Sequence, residues 1–263
     1  MSAIALSPGD LAIAAVLVVL DAVLSLVFRL GLHRQIAVAT LRLVVQLVAV
    51  GYVLRFIFAL HNPAATLAIA VLMMLVAARE VAARPARKLR GRGNLVIGAL
   101  GVMLATTATA VLALTTAIRP EPWYDPRYAI PLTGIILGNV LNAGAITLDG
   151  VLSGFPTHRV EIEARLALGE TFAEASRPIV VDAIRRGMVP LINQMSAAGI
   201  VTLPGIMTGQ ILAGMDPLDA VKYQILLMFL LAGAGGLVAV LIALVTARRF
   251  TDDRQRLRLD RLV

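Results

Sequence analysis

Asp21 and Arg42 are ionisable residues that fall inside long apolar stretches. A charge in hydrocarbon is costly enough that such groups pair with one another or line a polar route. Asp21 lies about seven residues from one end of the first stretch and Arg42 about six from the facing end of the second, so at 1.5 Å per residue both sit roughly 10 Å below one membrane boundary. The expectation is an Asp21–Arg42 ion pair, with Gln46 one turn along the Arg42 face. Such a pair either fixes two helices or serves as a proton or ion relay, and an Arg42 that snorkels to the headgroups is the third possibility. Later apolar stretches carry uncharged hydrogen-bonding groups: Asn139 and Asn142, then Asn193, Gln194 and Gln210. With Arg42 and Gln46 these amides form the candidate substrate path.

Other chemistries find no support. With no cysteine and three scattered histidines, neither a disulfide framework nor a zinc cluster is available. The metal-ligating residues, if any, are unknown. Met195, Met207 and Met215 read as packing material rather than a soft-metal path. The chain has no G-x-x-x-x-G-K-[ST] phosphate loop, no HExxH and no marked nucleophile, so it carries no recognisable catalytic residues and no cofactor of its own.

The elements that position these groups are membrane spans. Of 263 residues, 59% are hydrophobic and only 15% charged, against roughly a quarter charged in soluble domains. Stretches long enough to cross, at roughly 20 residues each, run from Leu11 to Phe28, Ile36 to Phe58, Ala64 to Ala83, Asn94 to Ala117, Tyr128 to Leu148, Leu191 to Ala213 and Val221 to Thr246. The fold expected is all-α, a polytopic membrane protein of seven transmembrane helices in a single domain over residues 1–263, in the bacterial inner or plasma membrane. The first stretch is not read as a cleavable leader, because no basic residue precedes it. Alternating the loops gathers 19 of the 24 Lys and Arg on one side, which places the N-terminus outside and the C-terminus in the cytoplasm. The net charge of +8 is thereby explained by topology and the lipid bilayer, with no nucleic acid as partner. The basic run from Arg84 to Arg92 is a topology-setting loop, and Trp123 and Tyr124 anchor an outer turn at the headgroups.

Two features interrupt the pattern. GIILGNVL (134–141) and GIMTGQIL (205–212) each follow a proline, and their four-residue glycine spacing predicts a packing seam through Gly134, Gly138, Gly205 and Gly209. The alternative is that glycine and proline loosen both helices so that one rocks against the other beside a wet path. The second interruption is the polar loop at 149–190 between the fifth and sixth spans. Its stretch from Val160 to Pro190 reads as two short helices broken at Gly169. Thr171 and Glu174 stand at capping-box spacing, and Phe172, Ala175, Ile179 and Ala183 fall on one face, so this piece lies on something rather than crossing. Pro178 is expected to kink or restart it.

Arg42, Gln46, GYVL (51–54), Pro131, Gly134, Gly138, Asn139, LALG (166–169) and above all GIVTLPGIMTGQILAGMDP (199–217) with YQI (223–225) resemble the FetB-type permease family over essentially the whole chain. The family's members are membrane subunits of ABC transporters, linked in bacteria to iron export and in plants to aluminium tolerance. The resemblance implies a separately encoded ABC ATPase that holds ATP and Mg, and a complex of two permeases and two ATPases. It also implies that the loop is a coupling element, with Glu163, Leu168, Gly169, Glu170 and Thr171 aligned with the ATPase-docking glycine turn. Glu170 departs from the alanine usual after that glycine.

The resulting expectation is a permease subunit, not an enzyme, that exports iron or another metal ion or small metal complex on ATP hydrolysed by its partner. Few carboxylates lie within the spans, so the amide lining fits a weakly coordinating or chelated cargo better than a bare hard ion. The rival is a stand-alone secondary transporter or channel in which Asp21 and Arg42 form the relay.

Overall fold

The computed structural model describes residues 7–60 and 62–263, and among them nine α-helices account for most of the chain. They are α1 (Pro8–Val27), α2 (His33–Leu60), α3 (Pro63–Ala83), α4 (Gly93–Leu112), α5 (Pro126–Thr157), α6 (Arg159–Ala167), α7 (Phe172–Ala197), α8 (Gly205–Leu212) and α9 (Pro217–Arg249). Six of the described helices are long and apolar enough to cross a membrane: α1, α2, α3, α4 with its π-helical extension to Ile118, α5 and α9. The protein is therefore a multi-pass, all-helical membrane protein.

The expected sixth span, Leu191 to Ala213, is not one helix. α7 starts far earlier, at Phe172, runs on through Pro178 and Pro190, and stops at Ala197; α8 resumes only at Gly205. Pro178 therefore does not restart the helix, because Thr171 has already nucleated it from outside. The break has local causes. Ala198 is extended, Gly199 adopts φ +85°, a left-handed conformation that a side chain disfavours, and Pro204 brings no N–H to a helix. Gly199 N instead donates to Thr202 O at 2.8 Å, closing the segment on itself.

Contacts group the chain into two units: α1 and α2 with Leu212–Gly214, and Pro63–Ile211 with Met215–Val263. In the first, α1 packs on α2, and the turn between them is closed by Leu32 N donating to the buried Ser25 Oγ at 2.9 Å. Both helices are apolar on nearly all sides and almost wholly exposed, as lipid-facing or partner-facing helices are.

In the second unit α5 is the axis, packed against α3, α4, α7 and α9. Small residues set its approach to α7. A Cβ on Gly150 would stand 3.1 Å from Ala183 Cβ, one on Gly154 2.5 Å from Ile179 Cγ2, and one on Gly187 would overlap Thr147 Oγ1. Gly150 and Gly154 are four residues apart, as are Ala183 and Gly187, which is the spacing that lets helices meet backbone to backbone. On the opposite flank Gly101 and Gly144 both receive Ile242 of α9.

The seam expected through Gly134, Gly138, Gly205 and Gly209 is not formed in this way. A Cβ on Gly138, Gly205 or Gly209 would meet nothing within 4 Å, and one on Gly134 only the flexible end of Met73. The glycine spacing is real, but the helix that should carry the second half of the seam is interrupted before Gly205.

Candidate functional site: a polar cavity and a glycine turn on one helix

Gly134, Gly138 and Asn142 recur at four-residue intervals along one face of α5, and Asn139 lies beside them. They line a cavity of about 360 Å³ together with Gln194 of α7, Pro204, Gly205 and Ile206 at the start of α8, and Gln224, Leu227, Met228 and Leu231 of α9. Asn139 Nδ2 donates to Leu231 O at 2.7 Å. Gly235, one turn further along α9, makes this possible, since a Cβ there would stand 2.8 Å from that same Nδ2. Asn142 Oδ1 accepts from Arg84 Nη1 at 3.0 Å, and Asp149, two turns along α5, accepts from Ala86 N at 3.0 Å. The connection after α3 is thus stapled to the same helix that carries the amides.

Of the expected path residues, the structure brings Asn139, Asn142 and Gln194 together. Asn193 is exposed and does not line the cavity. Gln210 sits on α8 with its Oε1 buried and without a partner, also away from the lining. Arg42 and Gln46 lie on α2 and border a shallow groove with Arg34, Gln35, Val38, Ala39 and Leu43. Asp21 is exposed on α1, and among the described residues no ion pair joins it to Arg42.

Sequence reasoning missed Gln224 and Arg84. Gln224 is only 7% exposed, and its Oε1 has no hydrogen-bond partner. Its signal was a lone amide in the apolar run from Tyr223 to Leu231. Arg84 was hidden among the loop arginines, because nothing in a basic run marks the one that turns back toward a span.

The other end of α7 is the glycine turn. α6 closes in a Schellman motif, with Gly169 N donating to Leu166 O at 3.1 Å and Glu170 N to Arg165 O at 3.2 Å. That geometry needs a left-handed residue, and Gly169 supplies it at φ +95°. Thr171 then caps α7. Its N–H donates to Glu174 Oε2 at 2.9 Å, and Glu174 N donates to Thr171 Oγ1 at 3.3 Å. The hydroxyl and amide of Thr171 hold the Glu174 carboxyl below the usual glutamate range. Leu168 stands 85% exposed at the apex and shares a concave surface with Arg165, Glu170, Glu174 and Arg177. Glu163 pairs with Arg159 at 2.8 Å, and Glu170 lies 3.7 Å from Arg165.

Three rings tie this turn to the bundle. Phe155 of α5 stacks on Phe172 at 5.8 Å and on Phe250, just past α9, at 4.5 Å between centroids. All three are buried. From Phe250 the chain folds back: Arg258 N donates to Phe250 O, Arg90 N to Arg261 O and Val263 N to Lys88 O, each at 2.8 Å. Gln255 Oε1 accepts from Phe172 N at 2.8 Å. Bonding to Arg256 holds the Asp252 carboxyl well below the usual range. The tail, expected only as a basic stretch, is an ordered strap across the basic loop and the start of α7.

A family model described as "Uncharacterised protein family (UPF0014)" matches residues 8–251. The chain belongs to that family. Among its relatives, a UPF0014 membrane protein of Synechocystis is 39% identical over 230 residues, covering 87% of each chain. The Escherichia coli protein named "Probable iron export permease protein FetB" is 31% identical over 250 residues, covering 94% of this chain and 93% of its own. The Arabidopsis thaliana protein named "ALUMINUM SENSITIVE 3" is 32% identical over 223 residues, 85% of this chain and 80% of its own. No solved structure matches. The UPF0014 match takes in every cavity and turn residue, whereas Gln255, Arg258, Arg261 and Val263 of the strap lie beyond it.

Proposed function

We propose that this chain is the membrane-spanning permease subunit of an ABC transporter that exports iron or another metal ion or small metal complex. ATP and Mg are handled by a separately encoded ATPase, in a complex of two permeases and two ATPases. The observation that carries this reading is α7. Its 26 residues, a rod of roughly 39 Å, start at the capped glycine turn and end with Gln194 in the amide cavity. A load applied at the turn is therefore delivered to the cavity wall. The exposed Leu168, set among charges, is an apolar knob suited to a groove on a partner, and the basic-residue bias supports a cytoplasmic position for this turn, the side on which an ATPase would dock. The name of the E. coli relative supports the iron assignment.

The test is export from inverted vesicles or proteoliposomes holding the chain together with an ABC ATPase that co-purifies with it. Gly169→Val places a β-branched residue in a left-handed turn, a strain of order 1–3 kcal/mol. The expected result is that the variant remains in the membrane with its ATPase bound, ATP hydrolysis continues, and export falls by about tenfold or more. Export by the single chain, driven by an ion gradient without any ATPase, would sink the reading and favour the Asp21–Arg42 relay.

A further inference from the structure

The loop after α3 and the strap after α9 bring cations side by side. Residues 84–92 hold five Lys and Arg with no acid, and residues 248–263 hold six arginines against three aspartates. The two segments meet in an antiparallel bridge between Leu89 and Leu262. Leu89 is buried and Leu262 packs on the core. The alternation of an extended chain therefore turns Lys88 and Arg90 outward, and both are exposed. Arg90 stands directly opposite Arg261, an arrangement that like charges disfavour. The Arg261 guanidinium in turn donates to Arg249 O at 2.7 Å and to Thr251 O at 3.2 Å, which holds the end of α9 beside the loop. Asp252 and Asp260 are committed to Arg256 and Arg258. Among the described residues, Arg87, Lys88, Arg90, Arg92, Arg248 and Arg249 form no ion pair and are all exposed.

α5 fixes the depth of this surface. Asn142 accepts from Arg84 and Asp149 from Ala86 N. These two residues lie about 24 and 35 Å along α5 from its start at Pro126, at 1.5 Å per residue. Trp123 and Tyr124 stand just before that start, and the hydrocarbon layer is about 30 Å thick. The loop therefore leaves the bundle at the opposite headgroup layer. Basic residues that only set topology need no fixed arrangement, yet this loop is pinned at Asn142, Asp149 and Leu262. An ordered cationic surface at headgroup depth is complementary to acidic phospholipid.

We infer that the loop and strap together form a binding surface for anionic phospholipid headgroups, with Arg87, Lys88, Arg90 and Arg249 as the phosphate contacts. The inference stands independently of the permease reading. The full-length chain is reconstituted in phosphatidylcholine bilayers with a trace of spin-labelled phosphatidylglycerol or spin-labelled phosphatidylcholine, and the motionally restricted fraction of each is read by electron spin resonance. Phosphatidylglycerol is expected to be preferred by about threefold or more at low salt, and by less at high salt, where exposed charges are screened. Arg87→Gln, Lys88→Gln and Arg90→Gln together should remove the preference while keeping the backbone bonds of the bridge. Leu259→Ser with Leu262→Ser keeps every cation but frees the strap from the core, seen as faster hydrogen exchange at Arg90, and should lower the preference as well.

Equal restriction of the two lipids, or a preference that survives the triple glutamine substitution, would overturn the inference. So would a preference retained in the double serine variant once exchange at Arg90 has risen, because charge without order would then suffice. Inorganic phosphate that displaces the labelled lipid would assign the surface to a soluble anion instead. Equal restriction with Arg90 protected only on adding an ABC ATPase would assign it to a protein partner.

Discussion

Gly187 and Gly138 are alike in sequence, each a glycine in a long helix with a small residue four positions away, yet they stand in opposite surroundings. A Cβ on Gly187 runs into Thr147 Oγ1 and lies 2.8 Å from Ala143 O, whereas one on Gly138 meets open space. Gly187→Ala is therefore expected to lower stability by about 1–3 kcal/mol, as overpacking does. Gly138→Ala should be neutral or slightly stabilising, since alanine favours the helix by roughly 0.5–1 kcal/mol. Thermal unfolding of the two variants in detergent checks the difference. The amides were legible one at a time, because an amide in an apolar run stands out wherever it falls. Which of them meet was not legible: Gln194 and Asn193 are neighbours in sequence, and a single residue of helical phase sends one into the cavity and the other away from it. Arg84 was illegible for a different reason, since its role depends on a loop conformation that no periodicity encodes.

At the scale of the element, α6, Gly169 and the Thr171 cap were readable because the signals are local: a glycine at a helix end, and a threonine and glutamate three apart. The apolar face of Phe172, Ala175, Ile179 and Ala183 is buried as its spacing implies. What it covers is α5 of the same chain. The error lay in treating Pro178 and Pro190 as boundaries, since the helix runs through both while packed on α5. The cap gives this element a pH signature. Because the folded Glu174 pKa is depressed, its contribution is present above the ordinary glutamate value, about 4.3. It is lost as pH falls through the lowered folded value. Hydrogen exchange at the first turn of α7, corrected for intrinsic rates, should lose protection across that acid window. Glu174→Gln should show no such titration.

For the whole molecule, apolar stretches and basic loops sufficed to foresee a helical membrane protein but not its internal strap. The strap depends on contacts between residues far apart in sequence, Gln255 with Phe172 and Leu262 with Leu89, and its leucines and arginines have no period to betray them. Removing residues 252–263 should leave the protein in the membrane but loosen the start of α7, read as increased exchange from Phe172 to Ser176. Gln255→Ala should reproduce part of that effect. Under the permease reading both changes also lower export.

The interruption at 198–204 reaches further than its length. α8 has only eight residues, about 12 Å of rise, and cannot traverse a bilayer alone. Among the described residues a count of uninterrupted apolar helices gives six, an even number that would put the start of the first and the end of the last in one compartment. If α7 and α8 together complete a crossing through that non-helical link, the number is odd and the two ends face opposite compartments. A fluorescent reporter fused after Val263 and a phosphatase fused before Ser2 would then both be active in the same cell. The sidedness of the entire polypeptide thus turns on a bend that lies beside the cavity.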